Sequence, residues 1–259
     1  MSESILVAKA DGVLAVTLNR AERLNALTGE MLDDLRAAFE RAERDSEIRV
    51  VLLAGSGRAF CAGQDLDEPA VAVGSDLGAQ IERHYKPLVL AIRNLPKPVV
   101  ARVQGVAAGA GANLAFACDI VVCSRNARFI EAFARIGLLP DSAGTWMLPR
   151  IVGHARAVAV AMLGEPIDAQ QAYEWGAVWK VTGDTELDAE CDRIVRVLAS
   201  APTKALGAVK TAMEAGWSNA IGEQLDFEAD LQRTLGATSD FREGVEAFLR
   251  KRPPAFRGE

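Results

Sequence analysis

Histidine, tyrosine and cysteine are scarce in this chain of 259 residues, which holds two, two and four of them. Each scarcity removes a class of chemistry. Cys61, Cys118, Cys123 and Cys191 form no C-x-x-C pair and have no histidine nearby. They read as buried, reduced thiols rather than a zinc site or a disulfide framework. With only His84 and His154 available, a histidine-built metal site is not expected, and a Ser-His-Asp triad would have to use one of these two. His84 falls in an amphipathic helical pattern and His154 in a Gly-His-Ala-Arg turn, so surface or capping roles are expected for both. No apolar run is long enough to span a bilayer, and the longest, 105–117, is mostly alanine and glycine. The opening MSESILVAKADG turns polar at once, without a basic-apolar leader pattern. Positive charge is also in deficit: 29 Lys and Arg against 35 Asp and Glu leave a net charge of −6, against a nucleic-acid partner. A soluble cytoplasmic protein with no membrane and no nucleic-acid partner is the expectation.

Half of the residues are hydrophobic, which suits one ordinary globular domain with an appended segment. An Asp11-Gly12 turn joins two alternating apolar stretches into a hairpin. Thr28 is placed to cap a helix with Leu32, Leu35 and Phe39 on one face. A short strand over 49–53 leads into a glycine-bearing loop, 55–63. Leu77, Ile81, Tyr85, Leu88 and Ile92 keep helical spacing up to Pro96. Strands are expected at 98–103, 119–123 and about 128–131, with a small-residue helix over about 109–118. Asp168 with Gln171 marks a capping box. A last helix is expected from Asp240, with Glu243 completing a second capping box and Phe241, Val245, Phe248 and Leu249 on one face. Strands alternating with helices and then helices alone read as an α/β core with a C-terminal helical subdomain.

The stretch QGVAAGAGANLA, 104–115, looks at first like a phosphate-binding loop, because a strand runs into glycines that open a helix. Its spacing matches the short-chain dehydrogenases, but it comes far too late in the chain. The Tyr-x-x-x-Lys pair that those enzymes need is absent: Tyr85 is followed at that offset by Val89, and Tyr173 by Ala177. No Gly-Lys-Ser/Thr follows either, so it is not a Walker loop. Taken alone, close helix packing accounts for it. A second small, glycine-bearing loop after a strand, AFCAGQDL at 59–66, changes that reading. Two such loops can aim two backbone N–H groups at one oxygen, as an oxyanion hole requires.

LNRAERLNAL (18–27), GSGRAFCAGQDL (55–66), QGVAAGAGANLAFACDIVV (104–122), GLLPDSAGTWMLPRIVG (137–153) and EGVEAFLRKRPPAF (243–256) together resemble the crotonase, or enoyl-CoA hydratase/isomerase, family nearly end to end. The resemblance implies an α/β fold: a crotonase-like ββα superhelix over 1–195, binding acyl-CoA, followed by a C-terminal helical trimerisation region over 196–259. It implies an enzyme that stabilises a thioester enolate, with the amides of Gln64 and Ala110 as oxyanion donors. It implies trimers, or hexamers built from two trimers, and an acyl-CoA thioester as substrate. No metal or redox cofactor is implied, since coenzyme A is part of the substrate.

The family's hydratases use two glutamates, and the matching positions here hold Asn113 and Phe133. Neither can do acid–base work. The resemblance gives the proton work instead to Asp141, at a position that carries the catalytic aspartate in several family isomerases. The competing role for Asp141 is capping a helix that begins near Ser142. Glu131 is the second candidate acid, with a solvated strand end as its alternative; Asp65 reads as a loop brace. Arg20 and Arg23 are candidates for the coenzyme A phosphates. By resemblance, Leu24, Ala26, Ala62, Leu66 and Gly109 line the substrate channel, while Phe248 and Lys251 reach a neighbouring subunit's site. The expected activity is acyl-CoA isomerisation. A hydratase with a rearranged acid and a non-catalytic CoA-binding protein stand as alternatives.

Overall fold

The computed structural model describes residues 4–259, and its first element is the expected hairpin. Strand β1 (Ile5–Ala10) pairs antiparallel with β2 (Val13–Leu18), Ala10 facing Val13 across the Asp11-Gly12 turn. Seven more strands follow: β3 (Val50–Gly55), β4 (Val99–Val103), β5 (Val106–Ala108), β6 (Ile120–Ser124), β7 (Arg128–Ile130), β8 (Ile167–Asp168) and β9 (Lys180–Thr182). They form a six-stranded sheet in the order β1-β2-β3-β4-β6-β9 and a three-stranded sheet in the order β5-β7-β8. Beyond the hairpin the large sheet is parallel throughout.

Two residues separate β4 from β5, yet the strands lie in different sheets. The chain turns the corner at Gly105, whose φ is +58° and where a Cβ would stand 2.0 Å from the Arg58 carbonyl oxygen. Only glycine fits there. The same step recurs from β6 to β7. These two turns of the chain each lay one strand in each sheet, as a spiral does.

Helices cover the sheet: α1 (Gly29–Arg44), α2 (Leu77–Gln80), α3 (Lys86–Asn94), α4 (Ala110–Ala117), α5 (Gly144–Val152), α6 (His154–Leu163), α7 (Ala169–Glu174) and α8 (Leu187–Ala199). Thr28 caps α1 as expected, its hydroxyl accepting from the Met31 amide at 3.2 Å, and Leu32, Leu35 and Phe39 are buried. Strand alternation sorts the core. Val51 and Leu53 face the main core, whereas Val50, Val100 and Val122 meet Leu187, Cys191 and Ile194 of α8 on the other side. The expected 195/196 division therefore falls inside a helix that packs on the sheet. Beyond it lie α9 (Thr203–Ala215), α10 (Ile221–Gly236) and α11 (Ser239–Leu249). Lys210 of α9 ties this region back: its ammonium sits 3.0 Å from Asp119 and donates to the Ile92 carbonyl at 2.8 Å.

Three expectations change. The helix over 77–94 is broken by a π turn at Ile81–Tyr85. Pro87 has no N–H and would clash in a regular turn, and the wider turn accommodates it. The last helix is capped by Thr238, whose hydroxyl accepts from the Phe241 amide at 3.1 Å, not by Asp240. Asp240 instead accepts from the Arg257 and Gly258 amides, both at 2.7 Å. Glu243 binds Arg252 and the Ala255 amide, so both acids fold the tail back rather than box the helix start. His84 is not on the surface: it is buried and paired with Asp33 at 3.0 Å. Among the described residues, no helix is long and apolar enough to cross a membrane.

Candidate active site

The loop after β3 is clamped from two sides. The Cys61 amide donates to the Val106 carbonyl at 3.1 Å and the Ala108 amide to the Cys61 carbonyl at 2.8 Å, a one-residue parallel bridge to β5. On the other side, the Leu27 amide donates to the Gly63 carbonyl at 2.7 Å and the Asp65 amide to the Leu27 carbonyl at 2.8 Å. Between these clamps the Gln64 N–H has no acceptor among the described residues. Gly63 has φ +93°, and a Cβ there would stand 2.8 Å from the Ala108 carbonyl oxygen and 3.7 Å from the Ala110 nitrogen. The two glycine-bearing loops therefore touch.

On the second loop the Gly109 amide is used by the Ile130 carbonyl, and Ala110 opens α4 with its own N–H unclaimed among the described residues. First-turn amides are left unpaired by helix geometry, and the helix dipole favours negative charge there. Two unclaimed amides from adjoining loops are what an oxyanion needs. The ring of Phe133 stands 3.6 Å from the point a Gly109 Cβ would occupy, closing this corner with apolar surface.

Asp141 lies in the turn before α5, half-buried. Ser142 and Ala143 have φ +50° and +64°, a left-handed pair that strains the turn. Ser142 therefore cannot start the helix, which begins at Gly144. The Asp141 side chain does not cap it: among the described residues the only partner of its carboxylate is the Ser142 hydroxyl, donating at 2.9 Å. Burial raises the Asp141 carboxyl above the usual aspartate range, with the Ser142 hydrogen bond opposing the rise. Asn113 braces the turn from α4, donating to the Asp141 carbonyl at 3.0 Å. Glu131 is not a solvated strand end. It is 1 % exposed, and Asn113 donates to it at 3.4 Å.

Tyr85 is a participant that its place in an apolar helical stripe concealed. Its hydroxyl donates to the Gln64 side-chain oxygen at 2.5 Å, while the Gln64 amide group donates to Glu68 at 2.9 Å. Burial, with Asp141 adding to it, pushes the phenol well up, so it stays protonated. Cys61, in the clamped loop after β3, is no nucleophile: burial pushes its thiol up to about 12.

The residues expected to line a channel divide. Leu24 accepts from the Ala62 amide at 2.9 Å, Ala26 is buried and Leu66 is exposed. Asp65 braces the loop as expected, binding Arg20 at 2.8 Å and Arg23 at 3.3 Å. Arg23 also pairs with Asp67. Both arginines are thus already neutralised, and a phosphate would have to replace these carboxylates. Phe248 and Lys251 stand at the far end of α11, where Phe248 lines a cavity of about 860 Å³ between α9, α10 and α11. The larger cavity, about 1340 Å³, lies around Asp119, Lys210 and Trp217. Neither cavity contains Gln64, Ala110 or Asp141.

The sequence pattern of the family described as enoyl-CoA hydratase/isomerase matches residues 8–259. A 1,2-epoxyphenylacetyl-CoA isomerase of Escherichia coli is 48% identical, covering 100% of both chains. A Rhodobacter capsulatus protein named "Probable enoyl-CoA hydratase" is also 48% identical, covering 96% of both. The solved enoyl-CoA hydratase of Bacillus anthracis superposes with a TM-score of 0.94 at 31% identity, covering 99% of this chain and 100% of its own.

Proposed function

The chain belongs to the enoyl-CoA hydratase/isomerase family and has its fold, and from that premise we propose that it is an acyl-CoA isomerase working through a thioester enolate. The substrate is a ring-1,2-epoxyphenylacetyl-CoA, giving the oxepin, or a 3-enoyl-CoA, giving the conjugated 2-enoyl thioester. One observation carries the reading. Two unclaimed amides sit on adjoining loops, and Asp141, on a turn that Asn113 of α4 braces, is a carboxyl free of capping duty, while Asn113 and Phe133 leave no acid–base group where hydratases hold theirs.

For a 3-enoyl thioester the steps balance within the site. The Asp141 carboxylate takes a proton from C2, and the charge moves to the thioester oxygen, where the Gln64 and Ala110 amides receive it. Protonated Asp141 then returns the proton to C4, and the double bond has moved without a redox cofactor or metal. Coenzyme A enters only as part of the substrate, with Arg20 and Arg23 as its cations. The 48% identity to an enzyme named an epoxyphenylacetyl-CoA isomerase supports the epoxide as one substrate. We further infer a trimer or a pair of trimers, with Phe248 and Lys251 completing a neighbour's channel.

A panel of acyl-CoA thioesters, followed by mass and ultraviolet absorbance, tests the reaction class. Isomerisation leaves the mass unchanged, whereas hydration adds one water and would favour a hydratase. Asp141→Asn is expected to lower kcat roughly 10²- to 10⁴-fold with little change in KM. Full turnover of that variant on every active thioester would remove the assignment.

A further inference from the structure

The proposed reaction makes no use of Glu131, yet the site is built around it. Glu131 is 1 % exposed and Asn113 is fully buried. The Asn113 amide group donates to the Asp141 carbonyl at 3.0 Å and to Glu131 Oε2 at 3.4 Å. Two buried atoms of this pair have no partner: Asn113 Oδ1 and Glu131 Oε1. A carboxamide oxygen only accepts, and so does an ionised carboxylate. With Glu131 ionised, both atoms would be stranded without a partner. A neutral acid resolves both together. Its O–H, placed on Oε1, can donate to Asn113 Oδ1 while Asn113 donates back to Oε2, closing an acid–amide ring.

The surroundings agree. Asp141, the charged group whose field reaches Glu131, has the same sign, and among the described residues Glu131 forms no ion pair with a cation. Arg135, on the turn that follows β7, spends its guanidinium on the Gly164 carbonyl at 2.7 Å. Phe133 on that turn is apolar. From α5, Gly144 packs directly on the Asn113 carboxamide.

We propose that Glu131 is a positioning residue carried as a neutral acid: it locks the Asn113 carboxamide, which holds the turn bearing Asp141, and its ionisation unlocks that turn. Burial pushes the Glu131 carboxyl up to about 8, with Asn113 opposing and Asp141 adding to the rise. In the folded chain Glu131 keeps its proton where the unfolded side chain, at its ordinary 4.5, has lost it. Its contribution to stability is therefore complete below the unfolded value and is lost as pH rises toward about 8.

The inference rests on Asp141 as the acid/base, and the test separates the two. Glu131→Gln preserves the ring as an amide pair but cannot ionise; Glu131→Leu abolishes it. With a 3-enoyl-CoA thioester, wild-type kcat is expected to fall above about pH 8, and Glu131→Gln to keep kcat at pH 7 within about twofold while losing that fall. Glu131→Leu is expected to lose about tenfold or more in kcat with KM within about twofold. An unchanged alkaline fall in Glu131→Gln, or wild-type kcat in Glu131→Leu, overturns the proposal. A second arm needs no substrate: the melting temperature of wild type relative to Glu131→Gln should drop between pH 5 and pH 9, and a constant difference overturns the neutral acid. If Asp141→Asn stays active the isomerase reading falls, while the melting arm still decides Glu131. If Glu131→Leu does not fold, the Glu131→Gln profiles decide alone.

Discussion

At Gly63 a single methyl group would meet the Ala108 carbonyl oxygen at 2.8 Å, in a backbone conformation that side chains rarely adopt. Gly63→Ala would push the Gln64 amide away from the Ala110 amide. We expect a loss of about a hundredfold in kcat, the scale of one oxyanion donor, with about 1–3 kcal/mol of lost stability. Steady-state kinetics and a denaturant curve check both, and wild-type kcat would place the donors elsewhere. Residues of this kind are half legible in the sequence. The glycines announce two loops after strands, and the departures at Asn113 and Phe133 point to Asp141. What escapes is anything set by burial. Nothing near Glu131 in the chain distinguishes a solvated strand end from a sealed acid, because Asn113, eighteen residues away, supplies the partner. Tyr85 escapes in the same way, its hydroxyl reaching Gln64 from within an apolar stripe.

Elements were legible where local chemistry alone decides them. The Asp11-Gly12 hairpin, the Thr28 cap and the Asp168–Gln171 box are short-range devices, and all three are in the structure. The π turn at Ile81–Tyr85 was not, because hydrophobic spacing reads through it although Pro87 demands it. Nor were the true roles of Asp240 and Glu243, which are bonded to a tail that arrives more than ten residues later. The docking of α9 depends on another distant partner. The Lys210 side chain is largely buried and the Asp119 carboxylate partly so, and desolvation lowers the lysine and raises the aspartate from their usual values despite their pairing. Lys210→Met leaves the partly buried Asp119 with its Val99 amide bond but without its cation, and should cost about 1–3 kcal/mol by chemical denaturation. Adding Asp119→Asn should return part of it; a single variant as stable as wild type would mean the pair is not what holds α9.

At the scale of the whole molecule, large apolar side chains stand exposed on both the spiral and the terminal helices. Met162, Leu163, Tyr173 and Trp179 are exposed on the spiral, and Met213, Ile221, Phe248 and Leu249 on the terminal helices. Exposed apolar side chains in this number suit the association surfaces of the proposed trimer. Light scattering on the purified protein should give a mass of three or six chains of 27.6 kDa, and the mass of one chain would contradict the proposed trimer. Phe248→Asp should then weaken both assembly and substrate affinity, since the proposed channel borrows that ring from a neighbour.

The proposed Gln64 and Ala110 donors belong to the main chain, and this sets what mutagenesis can see. An alanine scan passes over both, since Ala110 is already alanine and Gln64→Ala keeps its N–H. The anion holder would surface only through residues that shape it, such as Gly63, or by replacing an amide with an ester. By the same token, side chains around it are free to drift. A lineage could exchange one acid for another and change its reaction while the charge-bearing apparatus, written in no side chain, passes through unaltered.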